Sequence, residues 1–271
     1  MRTKWALVTG ASAGIGAEFC RQLAALGYNQ ILVARREDRL SALAKALQRD
    51  FGVESIAFPM DLSAPNAASE LATKLADTGC EIEFLVNNAG YGLPGHFTDP
   101  RWQEHARFIR LMMTTVCELT WHLLPAMQKC NAGYVINVAS LAGLVPGSAG
   151  HTLYGASKAF LIRFSESLAV ENRATGVRIS ALCPGFTYSE FHDVSGTRAL
   201  VSKMPAWMWM NAREVVKFGI DSVIGRHVRV VAIPGRVNRL IARLMRCLPS
   251  SVAYRLTGRM SRRFRAQKTE T

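Results

Sequence analysis

Thr9-Gly10-Ala11-Ser12-Ala13-Gly14-Ile15-Gly16 decides the architecture of this chain. A compact apolar run, Trp5–Thr9, leads into it. Ile15, Phe19, Leu23 and Leu26 lead out of it at spacings of four and three, which is one face of a helix. Strand, glycine turn and helix therefore follow one another without a linker. Three glycines let the backbone bend tightly and come close to a bulky anion. The helix start adds unpaired N–H groups and the positive end of a dipole. An isolated glycine string would say little, but this one lies in the first strand–helix unit and reads as a pyrophosphate cradle. Its candidate residues are Gly10, Ser12, Ala13, Gly14, Ile15 and Gly16.

The same alternation continues along the chain. Apolar runs at Ile31–Ala34, Ser55–Met60, Phe84–Asn87, Tyr134–Val138, Val177–Cys183 and Val228–Ile233 read as strands. Between them, helical periodicity covers Arg39–Phe51, Ser63–Ala76 with Ser63 as N-cap, His105–Lys129, Tyr154–Thr175 and Ala212–Ile224. Strands separated by helices of ten or more residues imply right-handed crossovers and a parallel sheet. The expected fold is α/β: a single Rossmann-type, doubly wound sheet of about seven strands with helices on both faces, followed by a basic helical tail. Residues 1–235 would form the dinucleotide-binding catalytic domain and 236–271 the tail. The second strand ends in Arg35-Arg36, and the first acids, Glu37 and Asp38, fall in the helix start. No carboxylate stands where a ribose 2′-hydroxyl would need one. Two guanidiniums there favour a 2′-phosphate, hence NADP.

Further along stand Asn87-Asn88-Ala89-Gly90 at the end of the fourth strand, Ser140 after the fifth, Tyr154-Gly155-Ala156-Ser157-Lys158 opening a helix, and Pro184-Gly185 after the sixth strand. With the G-x-x-x-G-x-G turn, these ordered motifs resemble the short-chain dehydrogenase/reductase family over about 230 residues. Tyr154 and Lys158 are four apart and share a helix face. A phenol is a weak acid, and a neighbouring ammonium is expected to lower its pKa toward working pH. The resemblance implies Tyr154 as general acid/base, Ser140 on the substrate oxygen and Lys158 on the nicotinamide ribose. It also implies Asp61 and Leu62 near the adenine, Asn88, Ala89 and Gly90 along the cofactor, and Pro184, Gly185 and Thr187 near its carboxamide and diphosphate. No metal is implied. Two departures stand out. The separation of Ser140 and Tyr154 is one residue longer than the family's usual loop, a change that costs little. Met112 occupies the position of the family's usual Asn, so either the Met112 carbonyl holds the relay water unaided, which is the expected arrangement, or Thr114 or Thr115 substitutes, or the proton relay is impaired.

Phe186–Asn211 resembles the family's variable substrate lid, and it carries Met204-Pro205-Ala206-Trp207-Met208-Trp209-Met210. Three Met and two Trp in seven residues make a large adaptable apolar surface, suited to a lipophilic carbonyl or alcohol such as a fatty-acyl chain, steroid, retinoid or aromatic ketone. His96, His151 and His192 could reach the site, but a structural or solvated role is the expected one for each. The expected activity is NADP-dependent hydride transfer on such a substrate, with reduction as the working direction. The alternative is an NADPH-binding scaffold or sensor with impaired catalysis. By resemblance the protein is a homodimer or homotetramer.

Composition bounds the remainder. The 271 residues carry 33 Lys+Arg against 20 Asp+Glu, a formal charge of +13. Ten of those basic residues and one of the acids lie from Arg236 onward, so the last 36 residues carry +9 and the first 235 carry +4. A uniformly cationic nucleic-acid binder is disfavoured. The six cysteines form no C-x-x-C pair, which argues against a metal site. With no secretory signal or membrane-spanning run, a reducing, cytoplasmic setting is expected. In the tail, Val237, Leu240, Ile241, Leu244 and Leu248 lie at helical spacing with Arg236, Arg239, Arg243 and Arg246 opposite. Such a helix can dock on the body, on a second subunit or on an anionic membrane surface.

Overall fold

A computed structural model describes residues 3–93, 95–147, 149–150, 152–191, 202 and 204–262. His151, His192 and the end of the tail from residue 263 lie outside the described residues, as do 192–201 and 203 of the expected lid.

The sheet is parallel and is built from β1 (Trp5–Thr9), β2 (Asn29–Ala34), β3 (Ser55–Pro59), β4 (Ile82–Asn87), β5 (Gly133–Val138), β6 (Val177–Leu182) and a short outer strand, β9 (Val231–Ala232). Its order is β3-β2-β1-β4-β5-β6-β9, so the winding reverses between β1 and β4. At such a reversal the loops leaving the strands' carboxyl ends diverge and open a crevice. All five residues of β1 are buried, as a central strand covered on both faces requires. A separate two-stranded ladder joins β7 (Thr187–Tyr188) to β8 (Met210–Asn211).

Helices α1 (Gly14–Ala25), α2 (Glu37–Phe51) and α7 (Ala212–Ile224) cover one face, where Phe19, Leu23, Leu40, Leu47, Val216 and Ile220 pack on Val8, Leu32 and Val86. Helices α3 (Ala67–Thr78), α4 (Trp102–Ile109), α5 (Thr115–Lys129) and α6 (Thr152–Glu171) belong to the other side. There Leu71, Leu75 and Leu119 meet Leu7, Ile31, Leu85 and Ile179. The described residues end with α8 (Arg236–Cys247) and α9 (Ser250–Arg262).

Four local expectations change. The third helix begins at Ala67 behind Asn66 and not at Ser63. Pro65 disfavours a helical Ala64, and the Ser63 hydroxyl donates to Asp61 instead. The long helix expected at His105–Lys129 starts at Trp102 and is interrupted by a π-turn over Arg110–Thr114, where the Thr115 N–H donates to the Arg110 carbonyl. The helix carrying Tyr154 ends at Glu171 rather than Thr175. The last strand narrows from Val228–Ile233 to two residues, because the Arg229 N–H donates to Ser222 in α7 rather than to the sheet.

Candidate active site

Every residue given a catalytic or cofactor-binding role lines one cleft of about 1230 Å³ at the carboxyl ends of the strands, except Gly16. Gly16 lies beneath it. A Cβ there would collide with the Gly10 carbonyl of the turn and with Asn88 Nδ2, which follows β4, so its role is close packing.

The glycine turn is fixed from below. The Thr9 hydroxyl donates to the Val86 carbonyl at 3.3 Å and accepts from the N–H groups of Asn88 and Ala89 at 2.9 and 3.0 Å. Asn88 Nδ2 returns a bond to the Thr9 carbonyl at 2.9 Å. Gly10 and Gly14 take φ of +67° and +54°, where a side chain would be strained. Ala13 caps α1 without a side-chain hydrogen bond, and the first turn holds no acid. The helix start therefore keeps its donors and dipole for an anion. These features fit the diphosphate of a dinucleotide.

The two arginines after β2 separate. Arg36 Nε and Nη2 donate to the Ser12 hydroxyl at 3.2 and 3.0 Å. Arg35 is exposed and its charge acts on Asp61. Asp61 accepts from the Ser63 hydroxyl at 2.7 Å and from Arg107 at 2.9 Å. Burial raises its pKa, but the Ser63 bonds and the charges of Arg107 and Arg35 outweigh it and hold the carboxyl below its usual range. Two residues unseen in the sequence join Arg36: Glu190, and Arg39 one turn along α2. Its i+3 spacing from Arg36 is the signal that would have found Arg39, whereas Glu190 arrives through tertiary folding.

Tyr154 and Lys158 sit in the first turns of α6, with Ser140 following β5. Ser140 Oγ accepts from the Ala142 N–H at 3.1 Å, which fixes its orientation, and is hydrogen-bonded to the Tyr154 hydroxyl. Lys158 Nζ donates to the Val138 carbonyl at 2.7 Å and lies 5.7 Å from the centre of the Tyr154 ring. The expected depression of the tyrosine does not occur. Burial pushes Tyr154 up to about 12, only partly opposed by Ser140. Burial likewise brings Lys158 down to about 8. The ammonium is engaged with Val138 and does not offset the desolvation of the phenol. The neighbouring Cys183 thiol is pushed up to about 12 by burial, so near neutral pH it brings no anion.

Met112 is buried in the π-turn, and its Sδ stands 2.8 Å from where a Cβ on Gly90 would lie. Thr115 donates to the Leu62 carbonyl at 2.8 Å and Thr114 is exposed. Neither hydroxyl substitutes for an Asn side chain at this point. His96 is exposed and does not line the cleft; its N–H donates to Asp99 at 2.7 Å. Thr187 lines the cleft with its hydroxyl donating to the Gly185 carbonyl at 3.1 Å.

The apolar lid stripe divides. Met204 and Met208 line the cleft, Trp209 stacks on Tyr188 at 4.8 Å, and Trp207 is exposed. The tail also contributes, through Asn238, Ile241, Met245 and Thr257 in the cleft wall. The apolar spacing read as one face therefore splits: Ile241 turns inward while Val237, Leu240 and Leu244 are exposed.

A doubly wound sheet with a glycine cradle at its reversal and a Ser–Tyr–Lys cluster at the cradle's far end defines a nucleotide-dependent oxidoreductase. The chain belongs to the short-chain dehydrogenase family, which residues 4–198 match. It is 33% identical over 208 residues to a very-long-chain 3-oxoacyl-CoA reductase of Laccaria bicolor, covering 75% of this chain and 61% of that one. The match thus spans about three fifths of that relative's length. It is 32% identical over 202 residues to a 7beta-hydroxysteroid dehydrogenase of Collinsella aerofaciens, covering 74% and 73% of the two chains. A short-chain dehydrogenase from Sphingobium yanoikuyae, solved with NADPH, superposes with a TM-score of 0.78 at 28% identity, covering 92% of this chain and 98% of that one. Among the described residues no cluster suited to a metal occurs, and no helix is long and apolar enough to cross a membrane.

Proposed function

We propose that this protein reduces the carbonyl of a lipophilic substrate with NADPH. The observation that carries this reading is the cleft itself. One end holds an anion cradle with a basic site, Arg36 on Ser12, and the other holds Tyr154 and Ser140 among apolar walls. Those walls include Leu93, Leu111, Val145, Phe186, Met208 and Met245. Such a lining excludes water and suits a fatty-acyl, steroid, retinoid or aromatic ketone. The NADPH-bound solved relative and the fatty-acyl and steroid activities named for the other two relatives agree with it.

The residue roles follow from their environments. When bound, the nicotinamide supplies the hydride. Gly10, Ser12, Ala13, Gly14 and Ile15 would hold the diphosphate side, Arg36 the 2′-phosphate, and Asp61 and Leu62 the adenine edge. Ser140 would hold the carbonyl oxygen in reach of Tyr154. A half-buried phenol that keeps its proton at neutral pH is the form that reduction needs, since the oxygen gaining charge must be protonated. Lys158, still charged below about pH 8, would resupply that proton. With Thr114 and Thr115 directed elsewhere, the main chain of the π-turn at Met112 is the acceptor left to hold a relay water. A panel of bulky apolar ketones and 3-oxoacyl thioesters, followed by loss of NADPH absorbance, tests the reading. Turnover should be at least about tenfold faster with NADPH than with NADH, given the strength of charge-assisted contacts. Turnover confined to small polar aldehydes would refute the lipophilic assignment.

The outer face of the tail supports a peripheral contact with an anionic membrane. Around α8, Asn238, Ile241, Ala242 and Met245 face the body, Val237, Leu240 and Leu244 form an exposed apolar stripe, and Arg236, Arg243 and Arg246 flank it. That division is the pattern of a helix lying in a membrane interface, where each basic residue adds about 1 kcal/mol on an anionic surface. The protein should co-sediment with phosphatidylserine vesicles and not with phosphatidylcholine vesicles. Leu240→Glu with Leu244→Glu should reduce that binding more than about tenfold while sparing the inward face. Equal sedimentation of wild type and variant would rule the contact out.

A further inference from the structure

Glu190 is the feature of the cleft that the reaction itself does not explain. β7 is held by β8, and beyond it the chain crosses the diphosphate turn. Ser189 Cβ comes within 3.0 Å of the point where a Cβ on Gly14 would stand. The next residue delivers a carboxylate to the basic site: Glu190 accepts from Arg36 Nη1 at 3.1 Å and, through both oxygens, from Arg39 Nη1 at 2.7 Å. The same Arg36 also holds Ser12, so the carboxylate occupies the side of the cradle where a second anion would be bound. Phe191 follows, its ring centre 5.8 Å from that of Tyr154.

We propose that Glu190 is an internal counter-anion of the 2′-phosphate site: it offsets one of the two charges of Arg36 and Arg39 in the ligand-free protein and must be displaced when a 2′-phosphorylated nucleotide binds. This rests on the NADP reading above. An arginine site open to solvent gains most from a dianionic phosphate, which accepts more bonds than a carboxylate. The exchange is feasible because the resident pair is only partly shielded: the Glu190 side chain is 45% exposed, Arg36 37% and Arg39 43%. Hydrogen bonds from Arg39 and Arg36 hold the Glu190 carboxyl below its usual range, so it stands there as an anion. Two consequences follow. Glu190 sets the cofactor discrimination, because it opposes a 2′-phosphate and leaves a plain 2′-hydroxyl untouched. It also links the phosphate site to the catalytic end, because the residue that must move is bonded to the one beside Tyr154.

Calorimetric titration of the full chain with adenosine 2′,5′-bisphosphate and with adenosine 5′-monophosphate tests this without hydride transfer. Glu190→Gln should bind the bisphosphate about tenfold more tightly than wild type, with the monophosphate changed by less than about twofold, since only the former meets the lost repulsion. Unchanged or weakened bisphosphate binding would overturn the proposal, because the carboxylate would then be irrelevant or would serve to orient the arginines. Equal tightening of both ligands would also overturn it. A wild type that prefers the monophosphate would bring down the NADP reading as well, so the two failures are distinguishable.

Discussion

Tyr154→Phe should lower kcat for ketone reduction by about 10³-fold, the range in which a positioned proton donor contributes. The phenyl ring would keep the place of the tyrosine against Phe191, and only the hydroxyl bonded to Ser140 would be lost. NADPH affinity should therefore stay within about threefold and the melting temperature should shift little, because no packed volume changes. Stopped-flow turnover beside direct NADPH titration separates the two quantities. The pH profile carries the second half of this expectation. Tyr154 holds its proton throughout the neutral range, because burial pushes it to about 12. Lys158, an amine brought down to about 8, is charged below that pH and neutral above it. Reduction should thus fall as pH rises through about 8, when the lysine can no longer return a proton to the phenol. A Tyr154→Phe enzyme within tenfold of wild type would remove Tyr154 from the role.

Arg36→Gln should raise the Kd for NADPH by roughly 10- to 100-fold, since a hydrogen bond to a charged group is worth about 1.5–3 kcal/mol and 1.4 kcal/mol is a factor of ten. NADH binding should change little. The asymmetry follows from position: Arg36 lies on Ser12 at the mouth of the glycine turn. Arg35→Gln should have a smaller effect, because Arg35 is exposed and acts on Asp61. Titration of both nucleotides against both variants checks this. Equal losses for Arg35→Gln and Arg36→Gln would mean that both guanidiniums reach the phosphate.

The sequence was most informative where chemistry is local. The strand–glycine–helix order at Thr9–Gly16, the seven-strand alternation and the helical pairing of Tyr154 with Lys158 are short-range patterns, and they place the cleft correctly. Element ends were less legible. Ser63 has the chemistry of a cap, but Pro65 and Asp61 compete for that segment. The π-turn at Arg110–Thr114 leaves no mark in apolar spacing. The desolvation of the polar site residues was not legible. The Tyr154–Lys158 spacing suggested a lowered phenol pKa, yet the desolvation set by surrounding elements reverses the sign. Contacts across the chain were equally hidden: Glu190 on Arg36 and Arg39 spans more than 150 residues. Met245 and Thr257 of the tail in the cleft wall depend on how α8 and α9 dock, which helical periodicity alone does not give.

Hydride transfer from NADPH to a lipophilic carbonyl is tested most directly with cofactor carrying two deuterium atoms at the nicotinamide C4 position and a bulky apolar ketone, followed by mass analysis of the alcohol. The expected result is one deuterium on the former carbonyl carbon for each NADPH consumed, lost with Tyr154→Phe. Tight NADPH binding with no labelled alcohol across the ketone panel would contradict it and leave a nucleotide-binding protein without turnover.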